Sequence, residues 1–246
     1  MKPAIVTIGN FDGVHLGHQK LIQQVVDRSR ALDLHSFAIT FDPHPEQVLV
    51  PERKLTYLST AEERCAILQQ SGIDSVWICP FTRELARLEP EEFMRLVTER
   101  QPIAELWVGA DFALGRGRKG TIAVLAELGA ASGWGLHMVA PHVLEGQVVS
   151  STAIRTLLAA GAIRGAADLL GRVYSVAGDI RGDNLIVDPL RAVPKSGIAY
   201  EAQLTQNEAP LDGVVTVEQD PLRVVLDARG PHADGPARVS FIRRAD

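Results

Sequence analysis

The sequence predicts an α/β fold: a mostly parallel sheet flanked by helices, followed by a small antiparallel β domain. Three observations lead there. Short apolar runs alternate with helical patterns through the first two thirds of the chain. Helical periodicity then stops near residue 173 and short alternating runs take over. Finally, polar stretches rich in glycine follow directly on the apolar runs, where a parallel sheet presents ligands beyond its strand ends.

The runs "PAIVTIG", "SFAITF", "SVWICPF", "ELWVGA" and "GLHMVAP" are too continuous for half-exposed strands and read as buried ones. Between the first two, Leu21, Ile22, Val25, Val26 and Leu32 recur on one helical stripe. A second helix starts at "LSTAEE", where Ser59 and Thr60 each stand three residues before a glutamate, and stops at Gly72. The third is "EPEEFMRLVTER", with Pro90 in its first turn, and the fourth spans 120–132. Past 173 come "RVYSVAGDI", "GIAYEAQL", "GVVTVEQ", "RVVLDA" and "ARVSFIRR", separated by Gly, Pro and Asp. Ile198, Tyr200, Ala202 and Leu204 alternate as on a strand with one buried face. These runs predict a β-barrel or small sheet of roughly 70 residues, near the lower limit for independent stability. The expected domains are therefore 1–172 and 173–246, parting within Gly171–Tyr174.

Composition narrows the function. A chain of 246 residues with 46% hydrophobic and 22% charged residues lies in the globular range. A net charge of -5 argues against a general nucleic-acid binder, whose affinity rests on neutralising phosphates. No apolar stretch approaches the about 18 residues of a membrane span, and the start of the chain lacks the pattern of a signal peptide. The two cysteines, Cys65 and Cys79, form no CxxC pair and read as reduced thiols. A cytoplasmic protein is expected, without membrane or nucleic-acid partners.

"GNFDGVHLGH", residues 9–18, follows the first strand and precedes the first helix. Gly9, Gly13 and Gly17 permit sharp turns or close approach, and the helix N-terminus at His18 favours an anion. His15 and His18 supply donors for phosphate oxygens. A metal pair and a purely structural loop remain alternatives; the GxGxxG and P-loop patterns are absent. "VVSSTAIRTLLAAG" offers Ser150, Ser151 and Thr152 as helix caps and Arg155 in the first turn, either for an anion or as a plain cap with a solvated arginine. Two such openings in one crevice suit a triphosphate. "GADFALGRGRKGT" places Asp111 after the fourth strand, then Arg116, Arg118 and Lys119 on a basic loop that is either solvated or spread over the same rim. "TFDPHPEQVL" stiffens Asp42 and His44 with two prolines and adds the aromatic face of Phe41. No nucleophile elbow or paired catalytic carboxylates appear, so direct in-line attack on a nucleotide phosphorus is the expected chemistry.

In their order and spacing these stretches, with "ADLLGRVY", resemble prokaryotic FAD synthetases, the bifunctional riboflavin kinase/FMN adenylyltransferases, over residues 3 to about 176. The resemblance implies a Rossmann-like HxGH nucleotidyltransferase domain. It also implies formation of FAD and pyrophosphate from the small-molecule substrates FMN and ATP, with Mg2+. By this resemblance His15 and His18 are the motif histidines on the ATP phosphates. Gly9, Asn10, Phe11, Asp12 and Gly13 form the loop near the nucleotide and its metal, with Gly17 inside the HxGH motif. Ser151, Thr152 and Arg155 match the phosphate-binding ISSTxIR pattern; Asp42, Pro43 and His44, with Asp111 and Phe112, match the flavin side. His15, His18 and Arg155 are the expected catalytic set, with no metal-ligating residue assigned. Ala153 and Ala113-Leu114 depart from the residues usual in the family. The tail resembles the family's riboflavin kinase module only in outline and lacks its GxPTAN motif, so loss of kinase activity is expected. The alternatives are a homologue that binds flavin without turnover and a related transferase with another phosphate acceptor.

Overall fold

The computed structural model describes residues 2–53, 55–207, 209–219, 222–228 and 233–245. The chain divides into two compact units: Met1–Leu55 with Thr60–Gly146, and Thr56–Ser59 with Gln147–Asp246.

In the first unit the five apolar runs form parallel strands β1 (Ala4–Ile8), β2 (His35–Asp42), β3 (Ser75–Pro80), β4 (Ile103–Gly109) and β5 (Gly135–Val139). Their order is β3-β2-β1-β4-β5, so the winding reverses beside β1. Such a reversal opens a crevice at the carboxyl end of the strands. Strand β1 is buried on both faces. Ala4, Val6 and Ile8 join one apolar cluster with Ile39, Phe93, Val97 and Leu125, and Ile5 joins the other with Ile22, Val25, Ala38 and Leu68.

Helix α1 (Leu16–Ala31) buries Leu21, Ile22, Val25 and Val26, as its periodicity requires. Leu32, expected on the same stripe, is instead the C-cap and 41% exposed, because the chain turns away at Asp33 with φ 51°. A helix that sequence reasoning read as loop, α2 (Pro45–Leu49), is nucleated by a capping side chain at His44 and by Pro45. In α3 (Ala61–Gln70) the capping box forms on Thr60 and Glu63: the Glu63 amide donates to Thr60 Oγ1 at 3.2 Å, and the Thr60 amide donates to Glu63 Oε2 at 3.0 Å. Helix α4 (Pro90–Arg100) starts at its proline, and α5 (Ile122–Ser132) is capped by Thr121 and closed by Gly133 at φ 80°. Two very short strands, β6 (Val143–Leu144) and β7 (Gln147–Val148), follow.

The second unit holds α6 (Ser151–Ala160), α7 (Ile163–Leu170) and a closed barrel. Its strands are β8 (Tyr174–Arg181), β9 (Asn184–Ile186), β10 (Ala199–Gln206), β11 (Ala209–Gln219), β12 (Leu222–Ala228) and β13 (Gly235–Arg244). Their order is β10-β11-β12-β9-β8-β13, closed by the antiparallel β10–β13 pair. The period-2 pattern is realised: Tyr200, Ala202 and Leu204 are buried, as are Val239 and Phe241 on β13. Strand β9 was not anticipated, being only three residues long. The expected division at 172/173 marks the change from helix to strand. The compact units part earlier, between Gly146 and Gln147, because α6 packs on α7, and α7 packs on β8 and β13.

The barrel unit clasps a segment from the other half of the sequence. The Tyr57 amide donates to the Leu190 carbonyl and the Ala192 amide to the Tyr57 carbonyl, both at 2.8 Å. Between them Arg191 is only 4% exposed; its Nη2 donates to the Ser175 carbonyl at 2.9 Å, and its guanidinium lies over the Tyr57 and Tyr174 rings. No helix among the described residues is long and apolar enough to cross a membrane. Truncating a buried, hydrogen-bonded guanidinium leaves the Ser175 acceptor unmet, so Arg191→Ala is expected to lower stability by about 2–3 kcal/mol. Urea denaturation checks this against the exposed Arg181→Ala control, which should stay within about 0.5 kcal/mol of the parent.

Candidate active site

The loop after β1 is built from its backbone outward. The Gly9 amide donates to the Ile39 carbonyl at 3.0 Å, and Thr40 Oγ1 donates to the Asn10 carbonyl at 3.0 Å, which lace the loop to β2. Phe11 (φ 48°), Gly13 (φ 76°) and Val14 (φ 38°) are all left-handed, and the Val14 amide closes the turn on the Phe11 carbonyl at 2.9 Å. Two non-glycine residues in that region are uncommon and cost free energy that the surroundings must offset. Burial supplies the offset, since Phe11 and Val14 are completely enclosed. Gly9 leaves room for the ring: a Cβ there would stand 3.1–3.3 Å from three Phe11 ring carbons and push it aside by a few tenths of an ångström. Gly17 lies in the first turn of α1.

That turn sets the histidines. His15 is the N-cap of α1, and the His18 amide donates to its Nδ1 at 3.4 Å. A backbone amide only donates, so His15 Nδ1 is the acceptor and the neutral ring carries its proton on Nε2. The His15 and His18 rings stack at 3.7 Å and 17°, and Phe11 meets His18 edge-on at 5.2 Å. Burial, followed by the neighbouring His15, holds His18 well below the ordinary imidazole value of 6.5. Its Nδ1 is buried and has no hydrogen-bond partner among the described residues. Two stacked rings, one uncharged with an unmet nitrogen, at the N-terminus of a 16-residue helix are suited to receive an anion. No group of three His, Cys, Asp or Glu among the described residues could hold a metal ion.

The "DPH" stretch lies alongside. The Glu46 amide donates to His44 Nδ1 at 3.2 Å and the His44 amide to Gln47 Oε1 at 3.2 Å, so His44 caps α2. Its Nε2, which then carries the proton, is 3.2 Å from the Asn10 carboxamide, whose oxygen is the matching acceptor when the amide is turned toward it. His44 thus joins the loops after β1 and β2. Asp42 and Pro43 are exposed beside it. Arg64, which sequence reasoning passed over, lies behind them: it is buried, and its Nη2 donates to the Phe41 carbonyl at 2.7 Å. Thr40 was also missed. Its only sequence signal was a hydroxyl inside an apolar run; that of Arg64 was a cation in the first turn of a helix, where the dipole disfavours it.

The other expected residues lie on other elements. Asp111 is exposed two residues past β4, while Phe112 packs on the apolar core. The basic loop that follows is locally paired. Lys119 Nζ is 3.0 Å and Arg116 Nη1 3.5 Å from the Glu89 carboxylate, and Arg118 Nη2 donates to the Asp111 carbonyl at 2.8 Å. Ser151, Thr152 and Arg155 belong to the second unit. There Ser150 is the N-cap of α6, accepting from the Ala153 amide at 3.2 Å, with Ser151 and Thr152 in the first turn and Thr152 exposed.

Comparison with known proteins bears on this arrangement. A family model described as FAD synthetase matches residues 1–153. A bifunctional riboflavin kinase/FMN adenylyltransferase of Pseudomonas fluorescens is 32% identical over 217 residues, covering 88% of this chain and 68% of that one. The protein of the same description from Escherichia coli strain K12 is 31% identical over 229 residues, covering 88% and 73%. A crystal structure described as a macrolide-efflux protein from Streptococcus pneumoniae superimposes with a TM-score of 0.87 at 22% identity, over 100% of this chain and 86% of that one, a likeness of fold alone.

The depressed His18 value has a measurable sign. The unfolded chain binds at about 6.5 a proton that the fold excludes. Stability is therefore full above pH 6.5 and declines as pH falls toward the folded-state value, by up to about 1.4 kcal/mol per pH unit. Urea denaturation at about pH 7.5 and about pH 5.5, on either side of the upper edge of that window, is expected to show a larger acid loss in the parent than in His18→Gln.

Proposed function

Because the chain belongs to the FAD synthetase family, we propose that its α/β unit transfers the AMP moiety of ATP to FMN, giving FAD and pyrophosphate. The observation that carries this reading is the stacked His15–His18 pair capping α1, with His15 held as an Nε2 donor. An oxygen of the FMN phosphate attacks the α-phosphorus of ATP in line. A new P–O bond forms to FMN, the bond from the α-phosphorus to the bridging oxygen breaks, and pyrophosphate departs with its electron pair. FMN's phosphate is already largely ionised near pH 7, its second pKa being about 6, so no general base is required. His15 donates to the triphosphate, and the α1 amides and dipole offset its charge. Anion binding favours the protonated form of His18, which then satisfies its buried nitrogen.

The family resemblance supports roles for the remaining residues. Gly9, Asn10, Phe11, Asp12, Gly13 and Gly17 shape the nucleotide loop. Ser151, Thr152 and Arg155 hold phosphate oxygens, and Asp42, Pro43, His44, Asp111 and Phe112 form the flavin side. Magnesium fits only as a companion of the nucleotide. The described residues make no metal cage of their own, and such an ion is commonly held by substrate phosphates and water. No step here runs through it. A cytoplasmic site of action is part of this proposal, because ATP and FMN are its substrates. For the barrel we propose a structural role without riboflavin phosphorylation: the stretch 184–198 carries no PTAN sequence, and its Arg191 is committed to Tyr57 and Ser175.

Purified protein incubated with ATP, Mg2+ and either FMN or riboflavin tests both statements. FAD is expected from FMN, with no FMN from riboflavin; no FAD sinks the transferase reading, and phosphorylated riboflavin sinks the one for the barrel. His18→Ala is expected to lower kcat by about 100-fold with the fold retained by circular dichroism, the scale of one lost transition-state donor.

A further inference from the structure

Three side chains meet at the amino end of the parallel sheet, opposite the loops described above. His35 opens β2, Ser75 opens the neighbouring β3, and Asp74 directly precedes it. At a rise of about 3.3 Å per residue, β2 separates His35 from Asp42 at its far end by roughly 23 Å. Ser75 Oγ lies 2.9 Å from His35 Nε2, and His35 Nδ1 lies 3.6 Å from Asp74 Oδ2. The wholly buried Ser36 fixes the carboxylate. Its amide and hydroxyl donate to Asp74 Oδ2 at 2.8 and 2.7 Å, and the Asp74 amide donates back to Ser36 Oγ at 2.9 Å. Burial pushes the Asp74 carboxyl up, but the Ser36 bonds, with the charges of His35 and Arg30, hold it below its ordinary value. An imidazole nitrogen facing an ionised carboxylate carries the ring proton, which leaves Nε2 to accept from the serine hydroxyl. The longer Asp74 contact is of a kind that tightens when substrate binds. The His35 and Asp74 side chains are 40% and 50% exposed, so water reaches them and burial does not demand the arrangement.

We propose that Ser75, His35 and Asp74 form a second reactive site, which hydrolyses small activated carboxylic esters through an acyl-serine. A nucleophile within hydrogen-bond reach of a base, itself oriented by a third group, is the geometry of such catalysis. Ser75 Oγ attacks the ester carbonyl carbon while its proton passes to His35 Nε2. The carbon–oxygen bond to the leaving alcohol then breaks, and that oxygen departs with the electron pair and takes the proton. Water attacks the acyl group in turn, gives its proton to His35, and releases the carboxylic acid as Ser75 regains its hydrogen. An open site offers the oxyanion water rather than preorganised donors, each worth about 100-fold or more. The substrates are therefore aryl esters with good leaving groups and short acyl chains, not amides.

The test is p-nitrophenyl acetate hydrolysis by the parent, Ser75→Ala, His35→Gln and Asp74→Asn, with peptide mapping after an acid quench. The parent is expected to release p-nitrophenolate faster than buffer and to carry an acetyl group on Ser75. Ser75→Ala and His35→Gln are each expected to lose at least about tenfold of the rate, and Asp74→Asn to fall between them and the parent. Asp74 is a positioning residue, so Asp74→Asn is also expected to move the His35 proton from Nδ1 toward Nε2, read by 15N NMR. FAD formation by Ser75→Ala is expected to match the parent, because the loops proposed for it lie at the other end of the strands. Acetyl groups on lysines or histidines without Ser75, or parent-like ester hydrolysis by Ser75→Ala, overturn the proposal. Should a variant fail to fold, the acetyl map of the parent decides. A parent that forms no FAD sinks the transferase reading alone.

Discussion

Phe11 is the residue on which the site depends. It holds a left-handed backbone while wholly buried, with Gly9 leaving room for its ring. The ring then bears on His18, which stacks on His15, which caps α1. A strained turn, an enclosed aromatic and two imidazoles are thus one mechanical unit, placed where the sheet reverses its winding. Strain of this kind is retained when packing over-determines it, and it concentrates at functional sites.

The same unit explains why the histidines are poor candidates for acid–base work in the free protein. His18 is kept neutral by burial, and His15 has its Nδ1 occupied by a backbone amide. What remains is a stacked pair at the helix N-terminus, with His18 kept neutral by burial, and the proposed role of that pair is to receive an anion. Carrying positive charge only when phosphate is present avoids the lasting desolvation cost of a buried cation. Arg64 answers the opposite problem nearby: it is buried with a permanent charge, donates to the Phe41 carbonyl and lies 3.9 Å from Asp42 Oδ1.

The five parallel strands were legible because each is a short apolar run, and the period-2 alternation of Tyr200, Ala202 and Leu204 foretold a barrel strand. His15, His18 and the glycines were legible from spacing after a strand. What escaped has physical reasons. Helix α2 is held by capping atoms of His44 rather than by an apolar stripe, and β9 is too short to show a period. Leu32 looked like a stripe residue because periodicity says nothing about where the turn at Asp33 ends the helix. Arg64 and Thr40 act through three-dimensional neighbours distant in sequence, Phe41 and Asn10, so no local pattern could expose them. The boundary at 172/173 followed the change of secondary structure, whereas compactness follows packing, which assigns α6, α7 and even residues 56–59 to the barrel.

The central claim is that the buried, neutral His18 becomes charged when the site takes the triphosphate. The most direct measurement is the 15N NMR titration of His18 in the protein alone and with saturating ATP. The expected result is a midpoint well below 6.5 in the free protein, raised by about one unit or more when ATP is bound. A free-protein midpoint at the ordinary value, or the same depressed midpoint with and without ATP, would contradict it.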